Sequence, residues 1–318
     1  MNASATIGII GMGHVGAHVA NSLLLQGLAG ELLLCDVNAQ KVASEVQDLR
    51  DSLAFCPYNV RIENCGDRYE ELSGCDIIVN AAGNVALAAE NRDGELFFTT
   101  DAARTFAERV VNAGFQGIWV SIANPCDVVC TEIWHLTGYD PKKIIGSGTG
   151  LDSARLRSQI SLACGGLDPK SIDAYMIGEH GASQLAAWTA ASISGKSLSE
   201  LEAEHPERFS FDHADIEEKA RVGGYVTYAG KGCTEYAVAN AAVRVVGAVL
   251  HNEHAVMAAS TLMEGQYGEE GIFTSLPCII GADGVEDVFA PELSDGELAA
   301  FHASCAHIRD NISRLSWW

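Results

Sequence analysis

Three residues in this sequence carry side chains suited to moving a proton beside a carboxylate: Asp152, Arg155 and His180. Asp152 and Arg155 stand three apart in GSGTGLDSAR, positions 146 to 155, where a helix is predicted to begin, so both can face one cleft. His180 lies in IGEHG, positions 177 to 181, between an apolar run and a glycine turn. An imidazole titrates near working pH and suits general acid–base chemistry. A guanidinium offers two parallel N–H groups that match the plane of a carboxylate, a fit that lysine lacks. A fourth segment, SIANP at 121 to 125, closes an apolar run with Asn124 and Pro125. Taken singly, these residues have ordinary explanations as a helix cap, a solvated charge and a satisfied turn residue. Their spacing downstream of a cofactor motif favours chemistry.

That motif is GMGHVG, positions 11 to 16, directly after the apolar TIGII. Gly11, Gly13 and Gly16 hold the G-x-G-x-x-G spacing, with Met12, His14 and Val15 between them. The first glycine permits a tight turn, the second lets a pyrophosphate approach the backbone, and the third allows close helix–strand packing. Asp36 ends the run ELLLCD 20 residues after Gly16. A carboxylate there can accept hydrogen bonds from an adenosine ribose and repels a 2′-phosphate, so NAD is expected over NADP. The alternative for Asp36 is a simple turn residue. His14 and His18 stand four apart and could share a metal, but no third ligand is evident beside them, and no metal is expected.

These residues need a scaffold, and the apolar runs supply one. TIGII, ELLLCD, CDIIVNAAG, GIWVSIANP and KKIIGSG read as buried parallel strands, with helices through about Leu25 and Leu53 between the first of them. Right-handed crossovers make this an α/β, Rossmann-type doubly wound parallel sheet over residues 1–147, the NAD-binding domain. A mixed α+β catalytic domain is predicted over 148–318. In it, DAYMIGEHG and SLPCIIGADGVEDVFAP read as strands with turns, and 215 to 263 and 294 to 314 as helical. The small residues of VANAAVRVVGAVL suit close packing against a neighbour, within the chain or across a subunit interface.

The ordered motifs GMGHVG, AAGN at 81 to 84, IANPCDVV, GSGTGLDSAR, GEHG, KGCTEYAVA and LPCIIGADGV give the chain a resemblance to the lactate and malate dehydrogenase superfamily. Within it the chain is most similar to the L-2-hydroxyisocaproate dehydrogenases. The resemblance implies that His180 moves a proton, Asp152 holds its imidazole and Arg155 grips the substrate carboxylate. It also implies that Ala81, Gly83, Ile122 and Asn124 border the dinucleotide, with Asn124 reaching the substrate and Thr234 lining its pocket. The family's mobile loop brings an arginine to the carbonyl. Here the loop reads GNVALAAENRDGELFF, several residues shorter than in the closest relatives, and Arg92 is its only arginine. Where family malate enzymes present an arginine and lactate enzymes a glutamine, this chain has Val85, Ala86 and Leu87. A second substrate carboxylate would find no counter-charge, and an apolar side chain, branched aliphatic or aromatic, is expected.

The bulk composition fits. With 318 residues, 48% hydrophobic and 19% charged, the chain has the make-up of a folded enzyme with a large core. Twenty basic against 42 acidic residues leave a net charge of −22, which excludes nucleic acid and anionic membrane as natural partners. The field also disfavours anionic ligands, so a site for them needs its own cation or helix dipole. Ten cysteines without a Cys-x-x-Cys pair, and an N-terminus that does not read as a secretory signal, point to reduced thiols and a cytoplasmic protein. A homodimer or homotetramer is expected, acting on a small 2-hydroxy or 2-oxo acid.

Overall fold

In the computed structural model the structure describes residues 5–88 and 92–318, the side chains of Ala88 and Arg92 excepted. The chain opens with β1 (Thr6–Ile10), α1 (His14–Gln26), β2 (Glu31–Cys35), α2 (Ala39–Ser52), β3 (Arg61–Gly66), β4 (Ile77–Asn80), α3 (Leu96–Asn112), β5 (Ile118–Ser121), α4 (Cys126–Thr137) and β6 (Ile144–Gly146). These six strands pair in parallel in the order β3-β2-β1-β4-β5-β6. That is the doubly wound order, and its reversal lies between β1 and β4, where ligands of such sheets bind at the strands' carboxyl ends. Helices cover both faces, so β4 and β5 are buried at every position and their sequences read as continuous apolar runs. α1 buries Gly16, Val19, Ala20, Leu23 and Leu24, a single helical stripe, and ends at Gly27 in the left-handed conformation.

After α5 (Gly150–Ala163) come five short strands, β7 (Ile172–Asp173), β8 (Met176–Ile177), β9 (Leu185–Ala186), β10 (Ser192–Ile193) and β11 (Lys196–Ser197). Four helices follow: α6 (Leu198–Glu204), α7 (Pro206–Phe209), α8 (His213–Lys231) and α9 (Tyr236–Leu250). The chain closes with the antiparallel β12 (Ala255–Glu264), β13 (Glu270–Gly281) and β14 (Gly284–Val288), then α10 (Asp295–Ser313). β12 pairs antiparallel with β6 through Ser260 and Gly146, so the C-terminal strands extend the first sheet to nine strands.

Two elements differ from expectation. Residues 255–263 form strand β12 rather than helix. Six consecutive residues of β12 are buried, a pattern that periodicity cannot tell from a buried helix, and positive φ at Asn252 and His254 ends α9 before it. The edge strand β3 lay hidden in RIENCG, whose Arg61 and Glu63 face solvent and whose Arg61 pairs with Glu31 on β2. The small-residue helix α9 packs within the chain, against α1, and its Val243 and Val246 share one core with Ile7, Val120 and Ile145. No helix among the described residues is long and apolar enough to cross a membrane, and all ten cysteines are free thiols.

Candidate active site

The glycine motif forms the turn from β1 into α1. Gly11 has φ +91°, and a Cβ on it would lie 2.7 Å from the Ala81 backbone after β4. A Cβ on Gly16 would lie 1.9 Å from the Gly11 carbonyl oxygen. Both glycines are therefore dictated by packing. Gly13 differs, because nothing lies within 4 Å of its hypothetical Cβ, which leaves open space above the start of α1. Gly13 caps that helix without a side-chain hydrogen bond, and the first turn holds no acidic residue, so its positive end suits a phosphate. Asp36 closes β2 and accepts from Met12 N at 2.7 Å through Oδ2 and from Asn38 N at 2.8 Å through Oδ1. The Met12 side chain is fully buried in the core. The turn thus offers a pyrophosphate cradle with a carboxylate beside it, and its residues fit a dinucleotide.

The second constellation is assembled by hydrogen bonds that join α5 to β8. Ser153 Oγ accepts from Met176 N at 3.0 Å, and Thr149 Oγ1 donates to Met176 O at 2.6 Å. This stitching sets the first turn of α5 beside the segment after β8. There Asp152, fully buried, accepts from His180 Nδ1 at 2.5 Å through Oδ2 and from Arg155 Nη1 at 2.7 Å through Oδ1. A hydrogen bond at Nδ1 leaves Nε2 as the ring atom available for proton exchange. Gly178 has φ +86°, and a Cβ there would meet Ser304 Oγ at 2.6 Å, so the GEHG turn tolerates no side chain at that point.

A residue the sequence reading missed holds the histidine's backbone. Asp127, in the first turn of α4, accepts from His180 N at 2.8 Å through Oδ2 and from Ser260 Oγ at 2.5 Å through Oδ1. Burial pushes its carboxyl up to about 6, opposed by those two donors. Its signal was a charge set among apolar helix residues in NPCDVV, three positions after Asn124.

One cavity of about 300 Å³ joins the two constellations. Its walls include Gly13, His14, Val15, Ala81, Gly83, Ile122, Asn124, Arg155, His180 and Thr234, all expected at the site. Gly11, Met12, Gly16, Asp36 and Asp152, also expected at the site, do not line it. Arg92 stands at the start of a short 3-10 turn, Arg92–Glu95, and its side chain lies outside the described residues. Val85, Asp93, Glu95, Tyr225, Tyr228 and Cys233 also line the cavity. Glu95 is buried, accepts from Asn84 N at 2.6 Å, and has its carboxyl raised by desolvation. The expectation that His14 and His18 have no further metal donor beside them is corrected, since the fold brings Cys233 and Glu235 to them from the start of α9.

A doubly wound sheet with a phosphate-receiving glycine turn, joined by one cavity to a carboxylate–imidazole–guanidinium set, defines a dinucleotide-dependent dehydrogenase. Sequence models of the lactate/malate dehydrogenase NAD-binding domain and of its α/β C-terminal domain match residues 5–146 and 149–316. The chain belongs to the lactate/malate dehydrogenase family, and it is an NAD-dependent oxidoreductase acting on 2-hydroxy acids. It is 38% identical over 307 residues to an L-lactate dehydrogenase of Fusobacterium nucleatum subsp. nucleatum, covering 96% of this chain and 95% of that one. It is 34% identical to L-lactate dehydrogenase 1 of Bifidobacterium longum, covering 96% of each. Its fold matches the crystal structure of a minor L-lactate dehydrogenase from Enterococcus mundtii with TM-score 0.92 and 31% identity over 99% of both chains.

Proposed function

We propose that this enzyme interconverts L-2-hydroxy acids and 2-oxo acids whose side chains are apolar, branched aliphatic or aromatic, in the manner of an L-2-hydroxyisocaproate dehydrogenase. The observation that carries the reading is Asp152, a buried carboxylate that links His180 to Arg155 on one wall of the cavity. NAD supplies or accepts the hydride when bound, with Gly13 to Val15, Ala81, Gly83, Ile122 and Asn124 as the residues that would hold it and Asp36 facing its ribose.

Arg155 grips the substrate carboxylate and fixes the 2-carbon opposite His180. During reduction His180 gives its Nε2 proton to the carbonyl oxygen, and during oxidation the neutral ring takes the hydroxyl proton. Asp152 keeps the Nδ1 proton in place and offsets the charge that forms on the ring. We assign Arg92 to polarise the carbonyl from the loop. The substrate side chain meets Val85, Thr234 and the tyrosines at 225 and 228. Among the described residues lining the cavity Arg155 is the one fixed cation, so a second carboxylate finds no counter-charge of its own. The residue ranges 1–147 and 148–318 serve as cofactor-binding and catalytic parts. A homodimer or homotetramer completes the proposal, which light scattering would read.

A second reading, an L-lactate dehydrogenase, is favoured by the names of the relatives. Steady-state NADH consumption with pyruvate, oxaloacetate, 2-oxoisocaproate and phenylpyruvate separates the two. The highest kcat/KM is expected with 2-oxoisocaproate or phenylpyruvate, and pyruvate or oxaloacetate in first place would refute the apolar preference.

A further inference from the structure

At the rim of the cavity three donor atoms converge that the reaction does not use. His14 opens α1, while Cys233 and Glu235 stand in the turn between α8 and α9. Cys233 Sγ donates to Glu235 Oε2 at 3.4 Å, and His14 Nδ1 lies 3.5 Å from the same oxygen. All three atoms lie within 4.8 Å of one another. The other oxygen, Oε1, is held by Lys231 Nζ at 2.6 Å, and that ammonium sits 3.7 Å from the centre of the Tyr236 ring. The carboxylate is thereby fixed with Oε2 turned to the sulfur and the imidazole.

Zinc binds sulfur at about 2.3 Å and nitrogen or oxygen at about 2.0–2.2 Å in a tetrahedron, which sets nitrogen and oxygen ligands roughly 3.3–3.6 Å apart and sulfur roughly 3.5–3.7 Å from either. The nitrogen–oxygen separation of 3.5 Å falls in its interval, and the sulfur–oxygen separation of 3.4 Å lies about 0.1 Å below its own. Thiolate, imidazole and carboxylate together form a borderline-soft set that suits Zn2+ over Mg2+ or Ca2+. Cys233 is buried and His14 exposed, so the site has a shielded sulfur and an open entrance. His18 Nδ1 is 3.9 Å from Glu235 Oε2, but it is bonded to His14 O at 2.7 Å and serves as a prop.

We propose that His14, Cys233 and Glu235 form a binding site for a borderline-soft divalent cation, Zn2+ in the first instance, and that its occupancy competes with the dinucleotide. On binding, the Cys233 S–H bond breaks, its proton leaves to solvent and a sulfur–metal bond forms. The metal then ties α1 to the α8–α9 turn across the mouth of a cavity that His14 and Cys233 both line. The competition, though not the site, rests on the dinucleotide placement proposed above.

Cobalt(II) reports on the thiolate directly. Titrated into the whole chain without thiol reductant, one equivalent is expected to give a near-ultraviolet sulfur-to-cobalt charge-transfer band that Zn2+ bleaches. Cys233→Ser should remove the band and Glu235→Gln should weaken binding by roughly tenfold or more, with thermal melting showing both variants folded. The grouping of Asp93, Glu179 and His307 contains no thiol and gives no such band. A band that survives Cys233→Ser, or no binding at micromolar metal, would overturn the site. Zn2+ should also raise the NADH dissociation constant read by fluorescence, and an unchanged constant would overturn the competition. Should Asp36→Ala leave NADH affinity intact, the dinucleotide placement has failed, and the cobalt band still decides the site.

Discussion

Replacing Asp152 with asparagine tests the proposed proton path at its narrowest point. The amide keeps the size of the carboxylate, but one of its two polar atoms becomes a donor. It then faces either His180 Nδ1 at 2.5 Å or Arg155 Nη1 at 2.7 Å, donor against donor. The charge that balances a protonated imidazole is lost as well. With the charge centres about 4 Å apart and an effective dielectric near 20, that interaction is about 4 kcal/mol. At about 1.4 kcal/mol per decade this corresponds to roughly a thousandfold in kcat/KM, inside the usual range for general acid–base groups. Asp152 does not line the cavity, so NADH affinity should stay close to the parent value. Stopped-flow reduction of 2-oxoisocaproate measures the first quantity and fluorescence titration the second. A fall in kcat/KM below about tenfold, or an equal loss of NADH affinity, would refute the assignment of Asp152 as the partner of His180.

Other perturbations have equally definite outcomes. Gly13→Ala should weaken NADH binding while leaving the melting temperature nearly unchanged, whereas Gly16→Ala, with its Cβ 1.9 Å from the Gly11 carbonyl, should lower the melting temperature outright. Val85→Arg places a guanidinium on the cavity wall and should raise kcat/KM for oxaloacetate relative to 2-oxoisocaproate by about tenfold or more, read from the same NADH assay. Glu132, fully buried on α4 with no hydrogen-bond partner among the described residues, has its carboxyl pushed by burial up to about 8 from 4.5. The folded state therefore holds this proton more tightly than the unfolded one, and stability present below about pH 4.5 is lost as pH rises through 8. Glu132→Gln removes that loss, so its stability advantage, read by urea unfolding, should grow with pH toward a ceiling of about 5 kcal/mol, and a pH-independent difference would contradict it.

Part of the site legible in sequence is local, while His180, Asn124 and Thr234, distant along the chain, were placed by the motif resemblance. Gly11, Gly13, Gly16 and Asp36 follow one another around a single β–α–β unit, and Asp152 and Arg155 share one helical turn, so spacing alone places them. Asp127 was not legible, because its partners His180 and Ser260 come from distant segments and only the fold brings them to one carboxylate. The grouping of His14 with Cys233 and Glu235 was hidden for the same reason. In the fold, β12 was misread because burial on both faces erases the alternation that marks a strand. The edge strand β3 escaped notice through its charged, half-exposed sequence.

The junction between β6 and β12 bears on how this chain could be divided or recombined. A side chain at Gly146 would collide with Ser260 Cβ at 2.7 Å and with the sulfurs of Cys126 and Cys130 at 2.8 and 2.9 Å, so the contact depends on a missing methyl group. Across it, α9 contributes Ala242, Val243 and Val246 to the core beneath β1 and β5. A fragment ending at residue 147 would carry a raw sheet edge and a bared apolar face. Chimeras that exchange cofactor preference between homologues should therefore graft the glycine turn and the Asp36 corner as an insert, rather than cut the gene where the sequence changes character.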